Sequence, residues 1–280
     1  MKERTTKPQG IIDAFGVNFI SGLFTGTFSA AAFNPWDRAL YLSVKNKTPF
    51  TKELFTGNPY HGSSQAIMQR ILSGMLYFAA ASQIRTMTEN AKLFTSENWR
   101  NFFVGSTAGA INGIVLNQMS VVKYYTWGRK NRRFIDSSKH IIRNGGFNVL
   151  FKGVNATISR DIVFGIVYEV SRSSFRNMTS NDTSGSVIVV SNFIAAALAT
   201  TVSGPFNFAR NMKYATSVSK TPPSTFYCIY KLLILDSFKQ EKPFSYLQQR
   251  MKVGWGTARV AVSMASSQWI FDYIKNWLGS

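Results

Sequence analysis

The chain has 280 residues and a strongly basic composition, with 32 lysine and arginine residues against 13 aspartate and glutamate residues and a net charge of +19. Only 16% of the residues are charged and 14% are aromatic, which is not typical of a disordered chain. A single cysteine and two histidines exclude a disulfide framework and a zinc or iron–sulfur cluster, so no metal or cofactor is expected. The positive charge predicts an anionic partner: nucleic acid, a membrane surface or small molecules.

Three long charge-free stretches predict helices that cross a membrane. They occupy residues 14–36, 101–122 and 183–209, and about 20 helical residues span an apolar layer of about 30 Å. Between them lie apolar segments with charge near the middle, at 62–88, 153–176 and 256–277. Ionisable groups at that depth predict a shared polar interior. The alternative is a soluble helical protein whose apolar stretches form its core.

An internal period favours the membrane interpretation. Three segments share one spacing, in which a small residue lies nine positions before the residue that occupies the matching place in each segment. The pairs are Gly26 and Pro35, Gly109 and Gln118, and Ala196 and Pro205. Small residues allow transmembrane helices to approach closely, and proline kinks them. We expect one domain over residues 1–280 with three repeats, at 11–95, 96–180 and 181–280. The amphipathic stretch 131–146 predicts a short surface helix between two spans.

Together these features resemble the mitochondrial carriers, a family with three tandem repeats of two transmembrane helices and a surface helix between them. The odd-numbered helices of that family end in P-x-[D/E]-x-x-[K/R]. The counterparts here are incomplete: PWDRAL from Pro35, QMSVVK from Gln118 and PFNFAR from Pro205. Phe151-Lys152-Gly153 matches the end of the family's connecting segment, and FDYIK at 271–275 matches its last helix. The resemblance covers nearly the whole chain and implies an all-α membrane protein with six transmembrane helices in pseudo-threefold repeats.

The resemblance also implies a matrix-side gate of charged pairs between neighbouring odd-numbered helices. Asp37 and Lys123 retain one such pair. Ser120 facing Arg210 offers a hydrogen bond at best, and Asn207 facing Leu40 has no basic partner. The gate on the opposite side retains a partial set of charges: Arg85, Glu169, Arg172, Arg176, Asp272 and Lys275. The motif of the fourth helix fits either Glu169 with Arg172 or a register one turn later that ends in Arg176. Because poorly paired exposed charges contribute about 0 to 1 kcal/mol, weak gates and a low barrier between the two open states are expected.

The family binds its substrate at three points of the even-numbered helices. The matching positions here are Gln69 with Arg70, Arg160 with Asp161, and Arg259. Converging guanidinium groups favour a carboxylate or phosphate, so the expected substrate is a small anion. An arginine followed by an acid resembles amino-acid carriers, in which Arg160 would bind the α-carboxylate and Asp161 the ammonium group. The alternatives are a nucleotide carrier, although RNMKYA at 210–215 replaces the RRRMMM run of nucleotide exchangers, and a carrier-shaped interaction partner without transport.

Each candidate also has a purely structural interpretation. Arg160 and Asp161 would form a salt bridge within one helix turn, although adjacent helical residues face each other poorly. Arg259 would extend to the membrane surface. Gln69 would be a polar packing residue, with Arg70 facing elsewhere.

Partners and location follow from the resemblance. It implies cardiolipin at the helix starts marked by Gly62, Gly153 and Gly254, where free backbone N–H groups attract phosphate. It further implies a monomer in the mitochondrial inner membrane, or in a host mitochondrion if the chain is pathogen-encoded. No nucleic-acid-binding motif and no catalytic motif is recognisable, so neither a nucleic-acid partner nor an enzymatic activity is expected.

Overall fold

The computed structural model describes residues 11–46, 48, 50–54, 57–127, 134–178 and 185–279. This part of the chain is helical. The helices are α1 (Ile11–Asn46), α2 (Phe50–Leu54), α3 (Ser63–Asn90), α4 (Glu97–Trp127), α5 (Phe134–Gly145), α6 (Val154–Met178), α7 (Gly185–Val202), α8 (Gly204–Ala215), α9 (Thr225–Tyr227), α10 (Asp236–Phe238), α11 (Pro243–Met251) and α12 (Trp255–Gly279). A 3-10 helix at Phe147–Phe151 precedes α6, and a π-helix at Cys228–Leu235 separates α9 from α10.

The long helices form a closed ring. Its order is α1, α3, α4, α6, the pair α7 and α8, and α12, which packs back against α1. Each of the six apolar segments identified in the sequence coincides with a long helix or, in the third repeat, with this pair. Helices α1, α4 and α8 also contact one another, with Tyr41 of α1 and Tyr124 of α4 4.6 Å apart at their ring centroids. The interior of the ring is therefore closed where these three helices end.

Helix α7 and helix α8 form one bent unit. Their axes differ by 59° across a break at Ser203, and Pro205 lies in the first turn of α8, where its missing N–H costs no helical hydrogen bond. By hydropathy and length, no single helix in the described ranges qualifies as a membrane span, whereas this bent pair qualifies as a unit. The other kink-forming residue, Pro35, lies inside the continuous helix α1.

Close approach of helices explains one of the repeated glycines but not another. A Cβ atom on Gly26 of α1 would lie 3.5 Å from the backbone of Arg70 in α3, so this glycine allows the two helices to touch. A Cβ atom on Gly109 of α4 would meet no atom within 4 Å. The expected packing role of Gly109 is therefore wrong.

The short helix predicted within residues 131–146 is present as α5 (Phe134–Gly145), and its position on a membrane surface stays a prediction. Ile141 is fully buried and packs with Val122, Val149 and Leu150, whereas Ile142 is exposed. One face of α5 thus covers the end of α4, and the opposite face is free.

Lys152 connects the start of α6 to the chain that leaves α8. Its ammonium group donates hydrogen bonds of 2.9 Å to the backbone carbonyl oxygens of Ser217 and Lys220. Burial lowers the pKa of Lys152, and the carbonyl oxygens replace the water that the ammonium group loses. The basic residue of the Phe151-Lys152-Gly153 motif therefore has a structural role in this chain.

Candidate functional site

The charged residues inside the even-numbered helices converge on one level of the ring. Arg70, Arg160 and Arg259 are the eighth, seventh and fifth residues of α3, α6 and α12. Arg70 is within electrostatic range of both other arginines and of Asp37. The three arginines therefore lie close together, as the repeat spacing predicted. Their side-chain partners differ from the predicted ones.

Arg70 presents an unoccupied guanidinium group. It is an exposed residue in α3, and no side chain in the described part of the chain forms a hydrogen bond or an ion pair with it. Arg259 and Arg160 add positive potential around it. A guanidinium group held among like charges attracts a carboxylate or phosphate, which it can bind through two parallel hydrogen bonds.

Arg160 and Asp161 bind each other. The Nε atom of Arg160 donates a hydrogen bond of 2.8 Å to Oδ1 of Asp161, and Nη2 contacts the same oxygen. The expectation that neighbours on a helix face each other poorly is wrong here, because the long arginine side chain folds back along the helix. Both side chains remain partly exposed, at 28% and 21%. They face the interior as a pre-formed ion pair.

Asp161 lies close to helix α4. A Cβ atom on Gly113 would be 3.1 Å from Oδ2 of Asp161, so the absent side chain at this position makes room for the carboxylate. Its Oδ1 atom is the oxygen bound by Arg160.

Arg259 is bound by Asp37 of α1. Its Nη2 atom lies 2.5 Å from Oδ2 of Asp37, and the two side chains are 7% and 31% exposed. The guanidinium group also lies 5.3 Å from the ring centroid of Phe33, one turn earlier in α1. Arg259 is thus a buried inward-facing residue, and the extension to the membrane surface does not occur.

Lys123 does not take the predicted place beside Asp37. Its ammonium group lies 5.4 Å from the ring centroid of Tyr124 and 5.0 Å from that of Trp127, while Asp37 is bound by Arg259. Lys123 stays within electrostatic range of Asp37. Asp37 therefore pairs with Arg259, which reaches it from the neighbouring helix α12, and not with Lys123 of α4.

The two remaining matrix-gate positions also differ from the predicted pairs. Ser120 accepts a hydrogen bond of 2.6 Å from Nε2 of Gln69 and donates one to the carbonyl oxygen of Leu116. Arg210 donates to Oδ1 of Asn207 in its own helix, at 2.7 Å. Ser120 therefore does not bind Arg210, and Asn207 has a basic partner after all. Gln69 faces α4, as its packing interpretation expected.

An aromatic cluster occupies the closed end of the ring and was missed in the sequence. Tyr124 lies 5.0 Å from Tyr214 and 5.1 Å from Trp127 between ring centroids, and Tyr41 completes the cluster. The guanidinium group of Arg210 lies 5.7 Å from the Tyr124 ring and donates a 3.3 Å hydrogen bond to its hydroxyl group. Cation–π contacts thus replace much of the expected salt bridging. The sequence signal was an aromatic residue directly after the gate position in two repeats, at Tyr41 and Tyr124.

Positive charge exceeds negative charge at this level. The cations that lie in electrostatic contact with one another or with Asp37 are Arg70, Lys123, Arg160, Arg210, Lys252 and Arg259. The carboxylates described among them are Asp37 and Asp161. The interior therefore favours a bound group with negative charge.

The opposite gate is described only in part. Arg85 is exposed, and the guanidinium group of Arg172 lies 6.0 Å from the ring centroid of Tyr168. The side chains of Glu169, Arg176, Asp272 and Lys275 lie outside the described residues.

The three glycines expected to mark lipid sites share one backbone geometry. Gly62, Gly153 and Gly254 have positive φ angles of 79°, 79° and 103°. Each carbonyl oxygen accepts the first helical hydrogen bond of the following helix, from the N–H of Ala66, Thr157 and Ala258. The next N–H groups at each helix start have no partner within the helix. Among the described residues, no group of three potential metal ligands occurs.

The described helices thus form a closed ring, and arginines of three of them lie close together in its interior. Residues 94–183 match the family model described as mitochondrial carrier protein. A mitochondrial glycine transporter of Aspergillus niger is 25% identical over 226 residues, which cover 68% of this chain and 70% of that protein. These comparisons show similarity to the mitochondrial carriers and indicate a transporter, not an enzyme.

Further relatives carry the same name. A mitochondrial glycine transporter of Neosartorya fischeri is 27% identical over 207 residues, covering 67% of this chain and 56% of that protein. One of Eremothecium gossypii is 24% identical over 222 residues, covering 68% and 76%. The chain thus spans little more than half of the Neosartorya fischeri relative.

Proposed function

We propose that this protein transports a small amino acid, with glycine as the first candidate, across the mitochondrial inner membrane by alternating access. The observation that carries the proposal is the unoccupied guanidinium group of Arg70 beside the Arg160–Asp161 ion pair. An amino acid carries a carboxylate and an ammonium group on neighbouring atoms. The relatives named as mitochondrial glycine transporters support glycine as the substrate.

The carboxylate of the substrate binds Arg70 in this proposal. Sequence reasoning gave that role to Arg160, but Arg160 is already bound by Asp161. Arg70 has no such partner among the described residues. A carboxylate is also the group that best offsets its repulsion from Arg259 and Arg160.

The ammonium group of the substrate binds Asp161. Its Oδ1 atom is bound by Arg160, and a carboxylate has lone pairs for further donors. The ammonium group therefore joins the pair and does not need to displace Arg160. Asp161 distinguishes amino acids from simple carboxylates, which bring no donor for it.

The excess of cations favours a second candidate, an acidic amino acid. Arg70 and Lys123 have no carboxylate partner in the described residues, and a second substrate carboxylate would lie favourably near Lys123. The proposed substrate is therefore glycine or, as the second candidate, an acidic amino acid such as aspartate. An adenine nucleotide is a third, less favoured alternative.

Weak closure of the matrix side is part of the proposal. At the closed end, the polar links between helices include Asp37–Arg259, Gln69–Ser120, Arg210–Tyr124 and Tyr214–Asn117, with the aromatic cluster around them. The first of these links is an ion pair, and the other three are hydrogen bonds. Opening replaces few ionic contacts with water, so the barrier is low. Net uptake into unloaded vesicles is then expected beside exchange.

The membrane arrangement belongs to the same proposal. The six long helical units cross the membrane as three repeats within a monomer, and α5 lies at the matrix surface with its exposed Ile142 in the lipid. Cardiolipin phosphates bind the free N–H groups after Gly62, Gly153 and Gly254. Added cardiolipin is expected to raise the melting temperature more than an uncharged lipid does.

The test is a paired binding and transport assay. The purified protein is heated with glycine, aspartate, acetate or ADP, and each compound is then offered to liposomes that contain the protein. A rise in melting temperature and saturable uptake with glycine support the proposal. Aspartate alone would select the second candidate, ADP alone would contradict amino-acid transport, and no uptake of any compound would leave a carrier fold without transport.

A further inference from the structure

Two glycines one turn apart on α4 have different surroundings. A Cβ atom on Gly113 would lie 3.1 Å from Oδ2 of Asp161 and 3.5 Å from the Cγ2 atom of Thr157, both in α6. A Cβ atom on Gly109 would meet no atom within 4 Å. The absence of a side chain at position 113 therefore serves a specific contact with the Asp161 carboxylate.

Both glycines lie on the inner side of α4. Exposed apolar side chains mark the outer side of this helix at Ile111, Ile114 and Val115. Gly109 and Gly113 are each two positions from Ile111, which places them about 200° around the helix from it. The carboxylate that touches Gly113 therefore lies at the interior of the ring.

The two α6 neighbours of Gly113 differ in how far they can move. The hydroxyl group of Thr157 lies 3.3 Å from Oδ1 of Asn117 and 3.2 Å from the hydroxyl group of Tyr214, and these contacts hold its rotamer. The carboxylate of Asp161 is the end of a side chain, and it can turn. A side chain at position 113 would therefore be accommodated by displacement of this carboxylate.

We infer that Gly113 is a specificity-determining residue, because it leaves the space in which the Asp161 carboxylate is held ready for a substrate ammonium group. The inference rests on the proposed function, since it requires a substrate that carries an ammonium group. Gly113 acts through Asp161 and is thus a positioning residue. A binding group that is displaced by a fraction of an ångström loses much of the contact that it makes with the bound ligand.

A side chain at position 113 is expected to lower the preference for ligands with an ammonium group. In Gly113→Ala, the contact of 3.1 Å requires Asp161 to move by a few tenths of an ångström, so this preference is expected to fall about threefold. Gly113→Val adds branched bulk at the same place, and the fall is expected to be about tenfold. Gly109→Ala and Gly109→Val are matched controls, because open space surrounds that position.

The measurement is the dissociation constant of each protein for two pairs of ligands, glycine with acetate and aspartate with succinate. The members of a pair differ by the ammonium group, so the ratio of their constants reports the contact with Asp161. The constants for acetate and succinate are expected to change by less than about twofold in the Gly113 variants, since Arg70 is left in place. Asp161→Ala provides the ratio for complete loss of the contact.

The comparison between the two glycines decides the outcome. A lower ratio in the Gly113 variants than in the Gly109 variants supports the inference, and equal ratios in the two sets overturn it. If Gly113→Val does not fold, Gly113→Ala and Gly109→Ala are compared by the same criterion. A wild-type protein that prefers the ammonium-bearing ligand in neither pair contradicts the proposed function, and the inference fails with it.

Discussion

A buried asparagine in α4 provides a quantitative test of the fold. Asn117 is 1% exposed, and its Nδ2 atom donates to the carbonyl oxygens of Leu150 and Lys152, at 2.9 and 3.1 Å. Its Oδ1 atom accepts hydrogen bonds from the hydroxyl groups of Tyr214, at 2.7 Å, and Thr157, at 3.3 Å. One side chain thus joins α4, the chain before α6, and α8.

The first repeat contains a matched position. Asn34 precedes Pro35 as Asn117 precedes Gln118, and Asn34 is also 1% exposed. Its Nδ2 atom donates one hydrogen bond, of 3.3 Å, to the carbonyl oxygen of Pro59. Its Oδ1 atom has no hydrogen-bond partner in the part of the chain that the structure describes. The two residues therefore share burial and position in the repeat but differ in bonding.

The cost of each alanine substitution follows from this difference. At about 1 kcal/mol per net hydrogen bond, Asn117→Ala loses about 3 to 4 kcal/mol, and Asn34→Ala loses about 1 kcal/mol. For a chain of this size, 1 kcal/mol corresponds to roughly 2 to 4 °C in melting temperature. We expect Asn117→Ala to melt about 6 to 16 °C below the wild-type protein and Asn34→Ala about 2 to 4 °C below it.

The assay is thermal unfolding of the purified protein in detergent with cardiolipin, followed by tryptophan fluorescence. Tyr214→Phe serves as an intermediate case, because it removes one donor to Asn117 and keeps the aromatic ring. Equal melting temperatures for Asn117→Ala and Asn34→Ala would refute the reasoning, since burial alone would then determine the cost.

Two further predictions concern the backbone. Gly153→Ala places a Cβ atom 2.9 Å from the Tyr214 ring at a φ angle of 79°. It should lower the melting temperature more than Gly57→Ala does, because the φ angle there is 70° but the nearest atom is 3.6 Å away. Equal losses in the two variants would show that backbone strain alone determines the cost. Lys252 has a φ angle of 61°, and burial together with Arg210 lowers its pKa from 10.5 to about 7. Because the folded state then binds fewer protons than the unfolded chain, Lys252 lowers stability as pH falls from 10.5 to 7. Lys252→Gly should raise the melting temperature at pH 7 by at least about 2 to 4 °C, because it relieves about 1 kcal/mol of backbone strain and also removes the penalty of the buried ammonium group. The variant should also show a weaker dependence of melting temperature on pH between 7 and 10.5. An unchanged pH profile would contradict the burial of this ammonium group.

The sequence was sufficient to locate the helices. Long charge-free stretches and glycines at helix starts depend on local composition, and Gly62, Gly153 and Gly254 each precede a long helix with a positive φ angle. The positions of Arg70 and Arg160 followed from the same repeat spacing. Such features carry over between repeats because the backbone geometry is the same in each.

The partners of the charged side chains could not be predicted in the same way. The motif placed Asp37 opposite Lys123, but in the structure Asp37 forms its ion pair with Arg259 of α12. Likewise, the repeat spacing places Ser120 opposite Arg210 and says nothing of Gln69, which reaches Ser120 from α3. Pairing depends on rotamers and neighbouring helices, which a motif does not specify.

The most direct test of the account is the dependence of glycine uptake on Arg70. Wild-type protein, Arg70→Gln and the surface variant Arg143→Gln are reconstituted in cardiolipin-containing liposomes, and initial uptake of labelled glycine is measured over a range of concentrations. Arg143 is exposed on α5 and lies away from the interior. The account predicts saturable uptake by the wild-type protein and by Arg143→Gln, with kcat/KM about 100-fold lower in Arg70→Gln for loss of a charged hydrogen-bonding anchor. Undiminished uptake by Arg70→Gln would contradict it.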